Sequence, residues 1–377
     1  MRVLMSGGGT AGHVYPALTV AGRLAEEHDE VEFVGTPNGL ESRLVPEAGV
    51  AFRSLQAAGF NRSRPWTLLT STVLILVSAV RAWRWMGERR PDVVVGFGGY
   101  VSIPVGLAAV ARGVPLVLLE QNSVPGLANR ILSRWARSVG VTYEESAPLL
   151  RHPERVVLVG NPVRAAVLAS TRAAGRHALG IDSEARLLLV FGGSRGARHI
   201  NTALVGIRDR LMALDDLVVV QVTGPAEFES VGDLLNAAGG NADGRWRIVD
   251  YCEDMGGAIA ASDVVLARAG ATSIAEITAL GAPAVLVPYP YATEDHQTRN
   301  AATMVLHGAA RLVPDAELDG DLLGDELLAL LEDASSRATM SAASKALGRP
   351  DAARRVVALC REAALRPENP RELSDSA

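Results

Sequence analysis

Gly7-Gly8-Gly9-Thr10-Ala11-Gly12 follows the apolar run 2–6, and Gly192-Gly193-Ser194-Arg195-Gly196 follows a second apolar run, 186–191. Each glycine turn opens a helix-like segment, one in each half of the chain. Such a turn between strand and helix lets backbone N–H groups and a helix N-terminus face an anion, so each half reads as a mononucleotide-binding unit. The doubling predicts an α/β protein of two Rossmann-like domains facing a cleft.

Outward from these turns, strand-like runs at 31–35, 92–96, 115–119 and 138–141 alternate with helix-length segments, the βαβ rhythm of a parallel sheet. Runs at 217–222, 245–249, 263–266 and 284–287 repeat it. Between the halves lies Gly160-Asn161-Pro162-Val163-Arg164, the best candidate linker. Domains are expected at 1–163 and 164–350, followed by a helix over 351–365 and a disordered Pro- and charge-rich tail over 366–377. A length of 377 residues exceeds what one core usually organises, which agrees.

Cys252 and Cys360 are the only cysteines; they make no disulfide framework and have no metal-ligand spacing, as in a reducing cytoplasm. Met1 to Met5 run straight into the glycine turn, so no leader peptide is expected. The net charge of −5 is unevenly divided: residues 1–164 hold 17 arginines and 13 carboxylates, the remainder 20 basic and 29 acidic residues. A basic first half suits an anionic partner, or is an ordinary solvated surface. Nucleic acid is disfavoured, because no long basic run with interleaved aromatics occurs.

The segment 66–86 contains Val73-Leu74-Ile75-Leu76-Val77, apolar on all sides, and is bracketed by Arg62, Arg64, Arg81, Arg84, Arg89 and Arg90. Such a helix needs cover on both faces. Its uninterrupted apolar stretch is shorter than the ~20 residues that span a bilayer. Two readings follow: a helix sandwiched inside the domain, or one whose outer face rests on an anionic membrane.

Gly7, Gly9 and Gly12 match the dinucleotide pattern G-x-G-x-x-G, but no acid ends the second strand, where a nicotinamide cofactor's ribose would be held. His13 follows directly. At a helix N-terminus the imidazole is favoured in its neutral, proton-accepting form, although it could equally be a cap. In the second half, Arg268-Ala269-Gly270-Ala271 places small residues where a ligand can approach the backbone. Glu276 follows, able to accept from two ribose hydroxyls or simply to face the helix dipole. Glu294-Asp295-His296-Gln297-Thr298-Arg299-Asn300 is a dense polar set suited to sugar hydroxyls.

Six segments occur together in order: Gly8-Gly9-Thr10-Ala11-Gly12-His13-Val14-Tyr15-Pro16, Gly98-Gly99-Tyr100-Val101-Ser102, Glu120-Gln121-Asn122, Gly160 to Arg164, Gly192-Gly193-Ser194, and Ala269 to Glu276. In these the chain resembles the MurG family over nearly its whole length. The resemblance implies a GT-B fold and inverting transfer of N-acetylglucosamine from UDP-N-acetylglucosamine to the muramyl 4-hydroxyl of lipid I, forming lipid II on the cytoplasmic face of the cell membrane. It implies that Thr10, Ala11 and Gly12 face the donor sugar and diphosphate, that Asn122 reaches the donor, and that Arg164 and Ser194 hold its phosphate end. Cys252 would read uracil through its backbone, Ala271 would border the donor, Glu276 would bind ribose, and Gln297 and Asn300 the sugar hydroxyls. Ala11, Leu119 and Ile103 depart from the usual glycine, histidine and small residue.

Inversion in one displacement needs a base beside the acceptor and charge stabilisation on the departing UDP. His13 is the leading base and Glu120 the alternative. No Asp-x-Asp pair ends a strand, so neither metal nor other cofactor is required. Another GT-B glycosyltransferase, a UDP-N-acetylglucosamine 2-epimerase or a non-enzymatic nucleotide-sugar sensor are the competing readings.

Overall fold

The computed structural model describes residues 1–57, 66–193, 198–241 and 244–365. The chain forms two α/β units: Met1–Pro162 together with the chain from Asp351 onward, and Val163–Pro350.

The first unit runs β1 (Arg2–Ser6), α1 (Ala11–Glu26), β2 (Glu30–Gly35), α2 (Glu41–Glu47), β3 (Ala51–Ser54), α3 (Trp66–Arg89), β4 (Val93–Gly96), α4 (Ser102–Arg112), β5 (Leu116–Glu120), α5 (Leu127–Leu132), β6 (Ser138–Val141) and β7 (Val156–Leu158). All seven strands are parallel, in the order β3-β2-β1-β4-β5-β6-β7. The period of two along β1 divides the core: Val3 and Met5 pack on the α1 side, Leu4 on the side of α3, α4 and α5. With both faces covered, β4 and β5 are buried throughout, which is why they read as unbroken apolar runs.

On α3, Ser78, Ala82, Trp85 and Met86 face the core, whereas Val73, Leu76, Val77, Val80 and Trp83 are 41% to 57% exposed. The helix is therefore not sandwiched inside the unit. Arg81 and Arg84 are exposed, and Arg112 stacks on the Trp83 ring at 3.9 Å. Arg62 and Arg64 lie outside the described residues. Among those described, no helix is long and apolar enough to cross a membrane.

The second unit comprises α6 (Ala165–Leu168), α7 (Arg172–Leu179), β8 (Arg186–Phe191), α8 (Arg198–Gly206), α9 (Arg208–Met212), β9 (Leu217–Val222), α10 (Phe228–Ala237), β10 (Trp246–Val249), α11 (Met255–Ala261), β11 (Val264–Arg268), α12 (Ala271–Leu280), β12 (Ala284–Val287), α13 (His296–Leu306), β13 (Arg311–Leu312), α14 (Leu322–Glu332) and α15 (Ala334–Leu347). Its six parallel strands follow the order β10-β9-β8-β11-β12-β13. In both sheets the order reverses beside the first strand, at β1/β4 and at β8/β11. Ligands of open α/β sheets bind at such switch points, outside the carboxyl ends of the strands.

The last helix, α16 (Ala352–Leu365), returns to the first unit. Val356, Val357, Cys360 and Ala363 join the core beside Val3 and Met5, and Arg361 Nη2 reaches Glu27 at 2.6 Å and Asp29 at 2.8 Å. Burial pushes the Cys360 thiol up to about 12, so it serves as a small core hydrophobe. The tail at 366–377 lies outside the described residues.

Candidate active site

In the first unit the glycine turn after β1 meets the turn after β4. Gly98 and Gly99 have φ of +95° and +81°, a region that favours glycine, and a Cβ on Gly99 would sit 2.5 Å from the Gly8 carbonyl oxygen. Only a chain without side chains at these points lets the turns touch. His13, in the first turn of α1, places Nδ1 2.9 Å from Gly8 O and 3.3 Å from Thr10 Oγ1. A carbonyl can only accept, so in the neutral ring Nδ1 carries the proton and Nε2 the lone pair. Nε2 faces Gly98, where a Cβ would approach it to 3.1 Å. No side chain caps α1, and its first turn holds no acid. Thr10, Ala11 and Gly12 are half-buried around this ring.

Glu120, the alternative base, is buried beneath the loop after β5. It is 2% exposed; Oε1 accepts from Asn122 N–H at 3.0 Å, and Oε2 from Gly126 N–H at 3.0 Å and Asn129 Nδ2 at 2.8 Å. Both oxygens are engaged in shaping the loop after β5, which presents the half-buried Asn122.

Sequence reasoning missed Glu41. No acid ends β2, yet this carboxylate at the start of α2 folds under the first glycine turn and is 0% exposed. It accepts from Gly9 N–H at 3.2 Å, Thr36 N–H at 2.8 Å and Thr36 Oγ1 at 2.6 Å. It stands near where a dinucleotide fold holds ribose, but its oxygens are turned inward. A Cβ on Gly8 would fall 2.2 Å from Oε1, and one on Gly39 2.3 Å from Oε2, so the flanking glycines are the legible trace of its position.

In the second unit the polar groups gather around β8 and β11. Glu276, in the second turn of α12, is 5% exposed and pairs with Arg164 Nη2 at 3.0 Å. Burial raises its carboxyl above the ordinary range, and the guanidinium acts against that rise. Ala271 is 7% exposed, and no side chain caps the α12 N-terminus at Gly270. Gln297 Oε1 accepts from Tyr289 N–H at 2.9 Å. Before α13 the backbone is strained: Glu294 and Asp295 both have φ of +53°.

Asn300 is 0% exposed and donates from Nδ2 to Ala269 O at 3.3 Å. Cys252 is half-buried, and its thiol is raised by burial and then by Asp254. Ser194 lies outside the described residues. At the end of β11, Arg268 bonds the Pro288 carbonyl and Asp315, and Asp315 Oδ2 lies 2.9 Å from His199 Nδ1 on α8. This chain of charges links the end of β11 to α8; Arg268 opens a motif quoted above, whereas nothing in the sequence marked Asp315 or His199. Among the described residues no group of three or more His, Cys, Asp or Glu side chains gathers as a metal site.

Residues 3–141 match the glycosyltransferase family 28 N-terminal domain and residues 187–356 its C-terminal domain. The chain is 40% identical over 371 residues to a Desulfitobacterium hafniense protein named UDP-N-acetylglucosamine--N-acetylmuramyl-(pentapeptide) pyrophosphoryl-undecaprenol N-acetylglucosamine transferase, covering 97% of this chain and 100% of that one. Among solved structures it is similar to Acinetobacter baumannii MurG, at 29% identity and a TM-score of 0.77, covering 96% of this chain and 99% of that one. A Neisseria meningitidis UDP-GlcNAc 2-epimerase shares the fold alone, at 17% identity and a TM-score of 0.66, with 96% and 100% covered. Two parallel Rossmann-like sheets, a histidine at the first glycine turn and a glutamate on α12 thus converge with whole-length similarity: the chain belongs to the MurG family of GT-B glycosyltransferases.

Proposed function

We propose that this enzyme transfers N-acetylglucosamine from UDP-N-acetylglucosamine to the muramyl 4-hydroxyl of lipid I, making lipid II for peptidoglycan and so serving cell shape and division. The acceptor oxygen attacks the anomeric carbon as the bond to the diphosphate breaks; the configuration inverts, the hydroxyl proton passes to His13 Nε2, and UDP leaves with the bonding pair. The observation that carries this reading is the His13 ring, its Nδ1 committed to Gly8 O and its Nε2 left as the acceptor. Thr10, Ala11, Gly12 and Asn122 border the donor sugar and diphosphate in this scheme. Ser194 and Arg164 hold the phosphate end. Glu276 takes the ribose, Ala271 and the Cys252 backbone border the nucleoside, and Gln297 and Asn300 meet the sugar hydroxyls. Because Arg164 and Glu276 pair in the free protein, the donor exchanges one ion pair for contacts of its own.

The enzyme acts as a peripheral protein on the cytoplasmic face of the membrane. The outer face of α3 supports this, with Val73, Leu76, Val77, Val80 and Trp83 exposed beside Arg81 and Arg84. A shallow hollow in the same unit, bordered by Arg134, Trp135, Arg151 and His152, adds basic and aromatic groups. The test is an assay with radiolabelled UDP-N-acetylglucosamine and a lipid I analogue, with UDP-glucose and UDP-galactose as competing donors. Labelled lipid II is the expected product. Release of UDP without an acceptor product would favour a hydrolysing epimerase instead.

A further inference from the structure

We propose that Glu41 is a positioning residue that sets the tautomer and orientation of His13 through a single peptide group. The N–H that Glu41 Oε2 accepts, on Gly9, and the carbonyl that His13 Nδ1–H addresses, on Gly8, are the two ends of one peptide plane. The carboxylate pulls on the N–H end, and the amide, polarised by that bond, becomes a stronger acceptor for the imidazole at its other end. The arrangement does what a carboxylate bonded directly to a histidine does, with one amide inserted between them.

The plane needs such a hold. A peptide between two glycines turns over easily, and Gly9, with φ of +84°, has open space where its Cβ would be. Turning it would point an N–H at His13 Nδ1 and force the ring into its other tautomer, with Nε2 protonated and useless as a base. Glu41 blocks that rotation from one side and Gly99 packs against Gly8 O from the other. Thr36 fixes Glu41 in turn, giving Oε1 two donors and leaving Oε2 for Gly9.

The kinetic part of this role rests on His13 being the base, whereas the tautomer does not. Glu41→Gln is nearly isosteric. By turning its oxygen to the two Thr36 donors it keeps two bonds, and its NH₂ then meets the Gly9 N–H, donor against donor. The experiment labels the full chain with ¹⁵N-histidine and assigns the His13 signals among the seven histidines by comparison with His13→Ala. Wild type should show Nδ1 protonated and Nε2 bare at neutral to alkaline pH; Glu41→Gln should show a mixture or the reverse.

Turnover with donor and acceptor should fall roughly 10- to 100-fold, the range for outer partners that orient an imidazole. In a His13→Ala background the same substitution should change turnover less than about twofold, as expected for residues acting as one unit. UDP affinity should stay the same throughout. A folded Glu41→Gln protein with the wild-type ¹⁵N pattern overturns the proposal, and so does an Nε2-protonated His13 in the wild type, which needs no variant. A changed tautomer with unchanged turnover upholds Glu41's role and removes His13 as the base.

Discussion

Both units place glycines directly after the first strand of nearly the same sheet, Gly7, Gly8 and Gly9 after β1 and Gly192 and Gly193 after β8, yet they furnish this place differently. At β1/β4 the turn is braced from inside by a buried carboxylate bonded to backbone N–H groups, and the group it presents is an imidazole held by a carbonyl. At β8/β11 the nearby polar groups are ion pairs: Arg164 with Glu276, and Asp315 with both Arg268 and His199. The strand order supplies the location and the loops supply the chemistry. A base works best uncharged and able to take a proton, whereas a diphosphate and a ribose call for fixed charge. In the proposed scheme, the division of labour between the units follows from that contrast.

The sharpest way to break the contrast is His13→Ala. If the first turn holds the base and the second the donor, kcat should fall by roughly 10² to 10⁴ while UDP binding, followed by calorimetry, stays at the wild-type level. Retention of more than half the wild-type kcat would take proton transfer away from the first turn. Glu120, with both oxygens bonded inside its loop, would be a poor replacement.

A second experiment concerns the outer face of the first unit alone. Replacing Arg81, Arg84, Arg89 and Arg90 together with glutamine should weaken binding to anionic liposomes by roughly 3–4 kcal/mol, at about 1 kcal/mol for each arginine near the surface. That is more than ~100-fold in partition. Arg89 contributes least, since its Nε lies 3.9 Å from Glu32. Unchanged sedimentation with vesicles, by a variant whose melting curve is intact, would leave the exposed apolar face of α3 without a membrane role.

Glu276→Gln tests the other side. The amide keeps the shape but loses the charge-assisted bonds, so UDP and UDP-N-acetylglucosamine should both bind more weakly by roughly 1.5–3 kcal/mol. Arg164 also loses its carboxylate partner in the free protein, which releases it toward the phosphates and holds the loss toward the smaller figure. Unaltered UDP affinity would make Glu276 a partner of Arg164 and nothing more.

What could be read from the sequence follows the same physics. Val93–Gly96 and Leu116–Glu120 are buried on both faces, so their apolar runs announce strands. The edge strands β3 and β7 are partly exposed and β13 is two residues long, and none of them carries a pattern to read. The stripe of Val356, Val357, Cys360 and Ala363 announces a helix with a buried face but does not say which unit it covers. His13 was legible because its place at a helix start has chemical meaning by itself. Glu41 was not, because its meaning depends on the fold bringing α2 beneath a turn some thirty residues earlier. Asn300 shows another limit: its sequence position beside Gln297 says nothing of the bond it makes to Ala269 O, which appears only once α13 is packed against the loop before α12.

The smallest expected effect sharpens the ionic side of the comparison. His199 lies between Asp315, 2.9 Å from Nδ1, and Asp319, 3.2 Å from Nε2, while Arg268 bonds the other oxygen of Asp315. The hydrogen bond to Asp315 raises the imidazole above its ordinary value, with burial opposing and Asp319 adding to the rise. A histidine whose folded value exceeds its unfolded one contributes stability that is full below the unfolded value, near 6.5, and is lost as pH climbs through the folded value. The gap in Tm between wild type and His199→Gln should therefore be widest near pH ~6 and close toward pH ~9. With the ring 35% exposed, screening limits that gap to roughly 2 °C. A gap that stays constant across this range would mean that His199 acts as a neutral hydrogen-bonding ring. The second switch point would then owe its charge to its arginines alone, and the contrast with the first would rest on Arg164 and Arg268.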